Sequence, residues 1–194
     1  MVRGARAPAR ERLLDAAEEL FHAYGIAATG VDAILQRAQV APATLYAHFA
    51  GKDALVAGYL QRRHERWRRT WDEILDEQQD PQERVVSVFD ALERLHADQD
   101  APRGCAFLGA AVEISDPTHP AYRWLQADTE LLTRRLRSLA EQAGASDPDA
   151  LAAELLLLYD GALAARTRAR TNPANSRPAP PVRDLAAAAA VRCR

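Results

Sequence analysis

Near its start, this 194-residue chain places Thr44, Tyr46, His48 and Lys52 within nine residues. Two hydroxyls, an imidazole and an ammonium at this spacing do not make a nucleophile with its base. They make a row of hydrogen-bonding groups suited to phosphate oxygens and base edges. Elsewhere, no nucleophile constellation, phosphate loop or metal-ligand spacing stands out. Cys105 and Cys193 are far apart and read as reduced, unpaired thiols. No catalytic residue, metal or cofactor is expected, and the chain does not read as an enzyme.

The elements that must carry this row are three short helical pieces between Thr29 and Leu55. Thr29 reads as the cap of a helix from Gly30 to about Arg37, with Asp32 completing a capping-box-like pair. Gln39 to Ala41 make a tight turn. Pro42 begins a second helix at the position where proline is tolerated. That helix ends near Phe49, with a stop at Ala50-Gly51, and a third starts at Lys52. Helix, short turn, helix is the outline of a helix-turn-helix. At about 100° per residue, Leu45 and Phe49 fall on one side and dock the second helix on a core. Ala43 and Ala47 share another side, with Thr44 and His48 beside them. Small and polar groups on the free face suit a major groove roughly 12 Å wide. Tyr46 flanks that face, where its hydroxyl can reach a phosphate. The Lys52 ammonium and the helix start make a phosphate clamp. The expected DNA-contacting residues are Thr29, Gln39, Pro42, Ala43, Thr44, Tyr46, His48 and Lys52.

Gly25-Ile26, Thr29, Ile34, Val40, Thr44-Leu45-Tyr46, His48-Phe49, Lys52 and Leu55 together resemble the DNA-binding domain of the tetracycline-repressor (TetR) family. The resemblance covers roughly residues 10–56. Two positions depart from the family pattern: Leu35 stands where alanine is usual, and Gln39 where the turn usually has glycine. A left-handed backbone suits glycine, so Gln39 implies strain or an altered turn. The resemblance implies an all-α fold and a regulator, typically a repressor, that binds a palindromic double-stranded DNA operator as a homodimer. It also implies a second helical domain that dimerises through its last two long helices and often holds a small-molecule effector.

Composition agrees. The content is 48% hydrophobic, enough for one or two cores. No apolar run approaches the ~18 residues of a membrane span, and no signal-type core follows the basic start, so a cytoplasmic location is expected. Net charge is −2, but residues 1–70 hold eleven Lys/Arg against seven Asp/Glu, and the remainder fourteen against twenty. The basic excess lies beside the reading segment, as an electrostatic footprint should. Lys52 is the only lysine in the chain.

Taken in order, residues 1–9 form a basic arm or a simple tail. A first helix, about Ala9 to Tyr24, supplies Leu13, Ala17, Leu20, Phe21 and Tyr24 to the small domain's core, and Gly25 caps it. The DNA-binding domain is placed at residues 1–51. A long connecting helix, 52–77, bears Trp67 and Trp71 among arginines that either form a solvated face or touch phosphate. An effector-binding and dimerisation domain, 78–194, follows. Its helices are expected over about Pro81–Asp98, Cys105–Ile114, Thr118–Ala143, Asp147–Arg170 and Val182–Arg194, broken at residues 100–104 and 172–181. Tyr122, Leu125, Thr129, Leu132, Leu136 and Leu139 are expected as one buried stripe.

Leu151 to Ala165 is apolar almost all round. A helix buried on one side does not need this. It should pack on its own domain and on a second chain. Pocket candidates are Trp67, Trp71, Phe89, His96, Cys105, Phe107, Glu113, Trp124 and Tyr159. Glu113 is expected partly buried, meeting either an arginine or a ligand cation. The competing function is a helix-turn-helix DNA-binding protein without a small-molecule effector.

Overall fold

A computed structural model describes residues 7–97, 105–171 and 181–193; the side chains of 96, 97 and 169–171 are not part of that description. The basic arm and the two breaks therefore fall wholly or largely outside it. Among the described residues all regular structure is helical: α1 (Ala9–Tyr24), α2 (Val31–Ala38), α3 (Pro42–His48), α4 (Lys52–Glu77), α5 (Pro81–Ala97), α6 (Ala106–Glu113), α7 (Tyr122–Gln142), α8 (Pro148–Thr171) and α9 (Val182–Arg192). None of the described helices is long and apolar enough to cross a membrane.

The chain forms two compact units that do not follow a linear split. One holds Met1–Arg63 with Ala106–Gln126; the other holds His64–Cys105 with Ala127–Arg194. Both α4 and α7 therefore begin in the first unit and end in the second.

In the first unit, Leu13, Leu14, Ala17 and Phe21 of α1 are buried with Ile34 and Leu35 of α2, Leu45 of α3, and Leu55, Tyr59 and Leu60 of α4. Phe21 meets Tyr59 edge to face, with centroids 5.4 Å apart. Tyr24 is corrected from core to surface: it is 62% exposed, at the last residue of α1, while Phe21 and His22 in the same turn are buried. The Arg62 guanidinium spans Asp15 and Glu18 at 2.6 Å each, and Arg63 meets Glu18 at 2.8 Å. These two arginines of α4 pair with acids of α1 and staple α4 to it. At Gly58 a Cβ would lie 3.0 Å from the Phe49 ring and 3.4 Å from Leu14, so a side chain there requires that ring to give by a few tenths of an ångström.

In the second unit, Trp67, Trp71 and Ile74 (α4), Val85, Val88, Phe89 and Leu92 (α5), Leu132, Leu136 and Leu139 (α7), and Leu151, Leu155 and Tyr159 (α8) form the core. Ala186, Ala189 and Ala190 of α9 close it. The buried Trp71 indole donates to Ser87 Oγ at 2.8 Å. Asp147 caps α8 through the Ala150 N–H at 3.0 Å, as a carboxylate at a helix start should. Arg183 pins α9 to Asp90 and Glu83, and Cys193 O accepts from the Ser146 N–H and hydroxyl.

α7 differs from expectation twice. It starts at Tyr122, after Asp116 has folded back onto the Thr118 N–H and hydroxyl and His119 Nδ1 has accepted the Ala121 N–H. These local turns compete with helix. Within α7, Thr129 is exposed, and the acid beside it, Asp128, takes the inward place.

Candidate nucleic-acid interface

The turn between α2 and α3 sets the direction of α3. Gln39 closes α2 in the left-handed conformation, φ 53° and ψ 53°, and is the one non-glycine residue with positive φ among those described. The Val40 N–H returns to Leu35 O at 3.2 Å. From α1, Arg12 Nη1 donates to Ala38 O at 2.9 Å and Gln39 O at 3.0 Å. That guanidinium ties off the last carbonyls of α2 and holds the strained turn. Sequence reasoning missed Arg12, since nothing local marks an arginine whose acceptors lie 26 and 27 residues away.

Gln39→Gly tests the strain. Left-handed backbone costs a side-chain-bearing residue about 1–2 kcal/mol, and glycine's flexibility costs about 0.5–1 kcal/mol. The variant should gain up to about 1.5 kcal/mol in urea denaturation, the most that subtracting the second cost from the first allows. Lower stability would contradict the strain account.

α3 divides as its sequence dictates. Leu45 and Phe49 are buried, while Pro42, Ala43, Tyr46, Ala47 and His48 face outward and Thr44 is half-buried. Tyr46 is 63% exposed. Pro42 occupies the first position of α3, where its missing N–H costs no helical bond, and the Thr44 N–H returns to Ala41 O at 2.9 Å. Lys52 opens α4, and its Nζ lies 3.4 Å from Ala27 O. Arg10 sits over the Phe49 ring at 5.5 Å, adding a cation near the end of α3. Arg37 on α2 pairs with Glu19, whose carboxylate raises the guanidinium's pKa.

Thr29 is a correction. It is 3% exposed, and its hydroxyl donates to Gly25 O at 2.7 Å and lies 3.3 Å from Leu20 O. Gly30 takes the cap position of α2 with no side-chain bond, so the capping box with Asp32 does not form. Thr29 shapes the α1–α2 turn instead. Turned inward, its hydroxyl meets the Gly25 carbonyl just beyond α1 and comes near the Leu20 carbonyl in its final turns, which a hydroxyl facing water would not.

The pocket candidates separate. Trp67, Trp71, Phe89 and Tyr159 are buried in the second unit, and half-buried Cys105 packs against them. Trp67 lies 5.5 Å from Trp71 and 5.8 Å from Tyr159, centroid to centroid. Phe107, Glu113 and Trp124 belong to the first unit. The His96 side chain lies outside the described residues.

Glu113 is the second correction. Its carboxylate is exposed and accepts the backbone N–H groups of Ile26 (3.1 Å) and Ala27 (2.5 Å). Two adjacent amides in the loop after α1 make an anion cradle that the periodicity of α6 could not foretell. His119 Nε2 adds a contact at 3.5 Å to Asp53, in the first turn of α4. Sequence reasoning also passed over His64, Asp128 and Asp160 of the second unit. The legible signal was Asp160, an acid inside an apolar run.

A sequence profile described as "Bacterial regulatory proteins, tetR family" matches residues 13–59. The chain is 37% identical over 59 residues to the HTH-type transcriptional regulator UidR of Escherichia coli K12, covering 30% of either protein. The chain thus spans under a third of the length of the curated relatives it matches. Solved structures align almost throughout. A TetR-family transcriptional regulator from Streptomyces coelicolor is 32% identical with a TM-score of 0.80, over 95% of this chain and 93% of that one. A putative TetR transcriptional regulator from Streptomyces avermitilis is 32% identical with a TM-score of 0.72, over 95% and 99%.

Proposed function

Because the chain belongs to the tetR family of bacterial regulatory proteins, we propose that it is a repressor that binds a palindromic DNA operator as a homodimer and releases it when a small molecule enters the second unit. The observation that carries the DNA-binding part is the division of α3. Leu45 and Phe49 anchor it while Tyr46, Ala47 and His48 stand in solvent beside Thr44. In this reading Ala43 and Ala47 let α3 lie close to base edges. Thr44 and His48 supply hydrogen bonds there, while Tyr46, Lys52 and the first turns of α3 and α4 grip phosphates. Gln39 and Pro42 set the entry of α3, and Thr29 acts from beneath. No group of three or more histidine, cysteine, aspartate or glutamate residues among those described could hold a metal.

A second copy is required because two reading helices about 34–36 Å apart read successive turns of one groove face. Ala153, Leu157 and Gly161, one turn apart each along α8, lie exposed, as do Leu185, Ala188 and Val191 on the adjoining α9. This apolar face suits its own copy, since alanine and glycine allow helices to approach closely. The effector acts in the second unit. α4 runs from Lys52 at the reading head to Trp67 and Trp71 in the other core, so a ligand that shifts α4 alters reading-head spacing. A coupling of about 1–3 kcal/mol changes operator affinity roughly 5–150-fold. The protein works in the cytoplasm, where its operator is.

The test is binding to DNA upstream of its own gene across a salt series. Affinity should fall steeply, log K against log salt sloping by about −0.9 per neutralised phosphate, with random DNA bound far more weakly. A flat salt response, or equal affinity for random sequence, overturns the proposal.

A further inference from the structure

The first unit takes in a segment from far along the sequence, Ala106–Gln126. Phe107 and Ala110 of α6 and Ile114 just beyond it, spaced three and four apart, give that segment a buried face. Glu113, beside Ile114, is thereby brought to the loop after α1. Its oxygens take the Ile26 N–H at 3.1 Å and the Ala27 N–H at 2.5 Å. The Ala27 side chain cannot fix this loop, since it is a methyl group and exposed. Thr29 ties the loop at its base, through the Gly25 and Ile26 carbonyls. The Ala27 peptide itself is held by the Glu113 carboxylate.

The carbonyl of the same residue carries Lys52. That ammonium, at the start of α4, lies 3.4 Å from Ala27 O. An ammonium has three donors, so this bond leaves two for a phosphate. Lysine is long and flexible, and ordering it on DNA costs rotamer freedom. A tether to Ala27 O meets part of that cost in advance. The tether is only as well placed as Ala27, which Glu113 places. A second contact joins the same segment to the base of Lys52. His119 Nδ1 accepts the Ala121 N–H at 3.1 Å, and its Nε2 lies 3.5 Å from the carboxylate of Asp53, the residue after Lys52. Glu113 and His119 thus hold both the loop that Lys52 reaches and the helical turn it springs from.

We propose that Glu113 is a positioning residue for DNA binding: by fixing the Ala27 peptide it holds the Lys52 ammonium ready to grip a phosphate, while His119 steadies the first turn of α4. This role deepens the reading of Lys52 as a phosphate contact and rests on it. The sign of the effect separates it from ordinary electrostatics. An exposed carboxylate on a reading head repels phosphates, so its loss by itself strengthens binding. Loss of a carboxylate that positions a lysine weakens binding.

The test uses the full chain and two fluorescein-labelled duplexes, the DNA upstream of its own gene and a random sequence, read by anisotropy across a salt series. Lys52→Ala should weaken binding roughly tenfold, the loss of one charge-assisted bond. It should also make the salt slope shallower by about 0.9 per protomer. Glu113→Ala should weaken binding about three- to tenfold, part or all of the same bond, and make the slope shallower too. Both losses should be alike on the two duplexes, because phosphate contacts are blind to sequence. Glu113→Gln, which keeps one acceptor oxygen, should fall between the parent and Glu113→Ala. With Lys52→Ala already present, Glu113→Ala should change affinity by less than about twofold, since the two residues act as one unit. Circular dichroism at the assay temperature checks that each variant is folded; should Glu113→Ala not fold, Glu113→Gln replaces it in the pairing with Lys52→Ala. Unchanged or tighter binding on removal of the Glu113 carboxylate, or losses that simply add to those of Lys52→Ala, overturns the proposal. If Lys52→Ala weakens binding and the Glu113 variants do not, the DNA reading stands and the positioning role alone fails. If the parent binds neither duplex, or Lys52→Ala binds as the parent does, the reading of Lys52 fails and the positioning role falls with it.

Discussion

Replacing Leu157 by arginine gives a folded monomer that binds the operator at least about a hundredfold more weakly than the parent, as expected when one of two half-site contacts is lost. Leu157 is 73% exposed on α8. Within one protomer the substitution touches little, and exposed changes of this kind usually fall within about 0.5 kcal/mol. In a symmetric pair, the same change brings two guanidinium groups together in an apolar seam that also holds Ala153 and Gly161. Each charge then loses water without gaining a partner, which costs several kcal/mol in order of magnitude. The gap between these two effects makes the experiment decisive. Circular dichroism should show unchanged helix and Tm should fall only as far as dimer loss demands. Sedimentation equilibrium should show a monomer, and fluorescence anisotropy weak operator binding. A Leu157→Arg protein that remains dimeric would remove α8 from the interface.

Adjacent residues of α3 should fail in opposite ways. Leu45 is fully buried and Tyr46 points outward. Leu45→Ala deletes the anchor that holds α3 in the core of the first unit, and burial losses of this type cost about 2–5 kcal/mol. In a small unit that is much of the total stability. Urea denaturation should show the reading head melting early, with operator binding lost as a consequence. Tyr46→Ala should leave stability within about 0.5 kcal/mol, yet weaken operator binding roughly tenfold, the worth of a hydrogen bond to a charged phosphate. If Tyr46→Ala destabilises as severely as Leu45→Ala, or leaves operator affinity intact, α3 does not present its outer face to DNA.

The extent of each helix near the reading head was legible because local rules decide it. Pro42 at a helix start, glycine at helix ends and a 3.6-residue apolar repeat act over a few residues. They place Leu45 and Phe49 inward and Tyr46, Ala47 and His48 outward, as observed. At Gln39 the resemblance left strain or an altered turn open, and the left-handed backbone observed there is the strained alternative. The all-round apolar character of Leu151–Ala165 likewise shows in the exposed Leu157.

What the sequence alone determined, then, was which residues are helical and, for most helices, which face is buried; periodicity within one helix carries that information. Tertiary structure decided who meets whom across long separations. Glu113 was expected to meet an arginine or a ligand, and it caps amides 86 and 87 residues away. Thr29 turned inward, Tyr24 outward, and Asp128 displaced Thr129 from the buried stripe. Arg12, Arg62 and Arg63 became structural clamps. The reason is physical: a polar side chain settles where distant backbone and charged groups leave unmet hydrogen bonds, and no local pattern records where the fold will bring those groups.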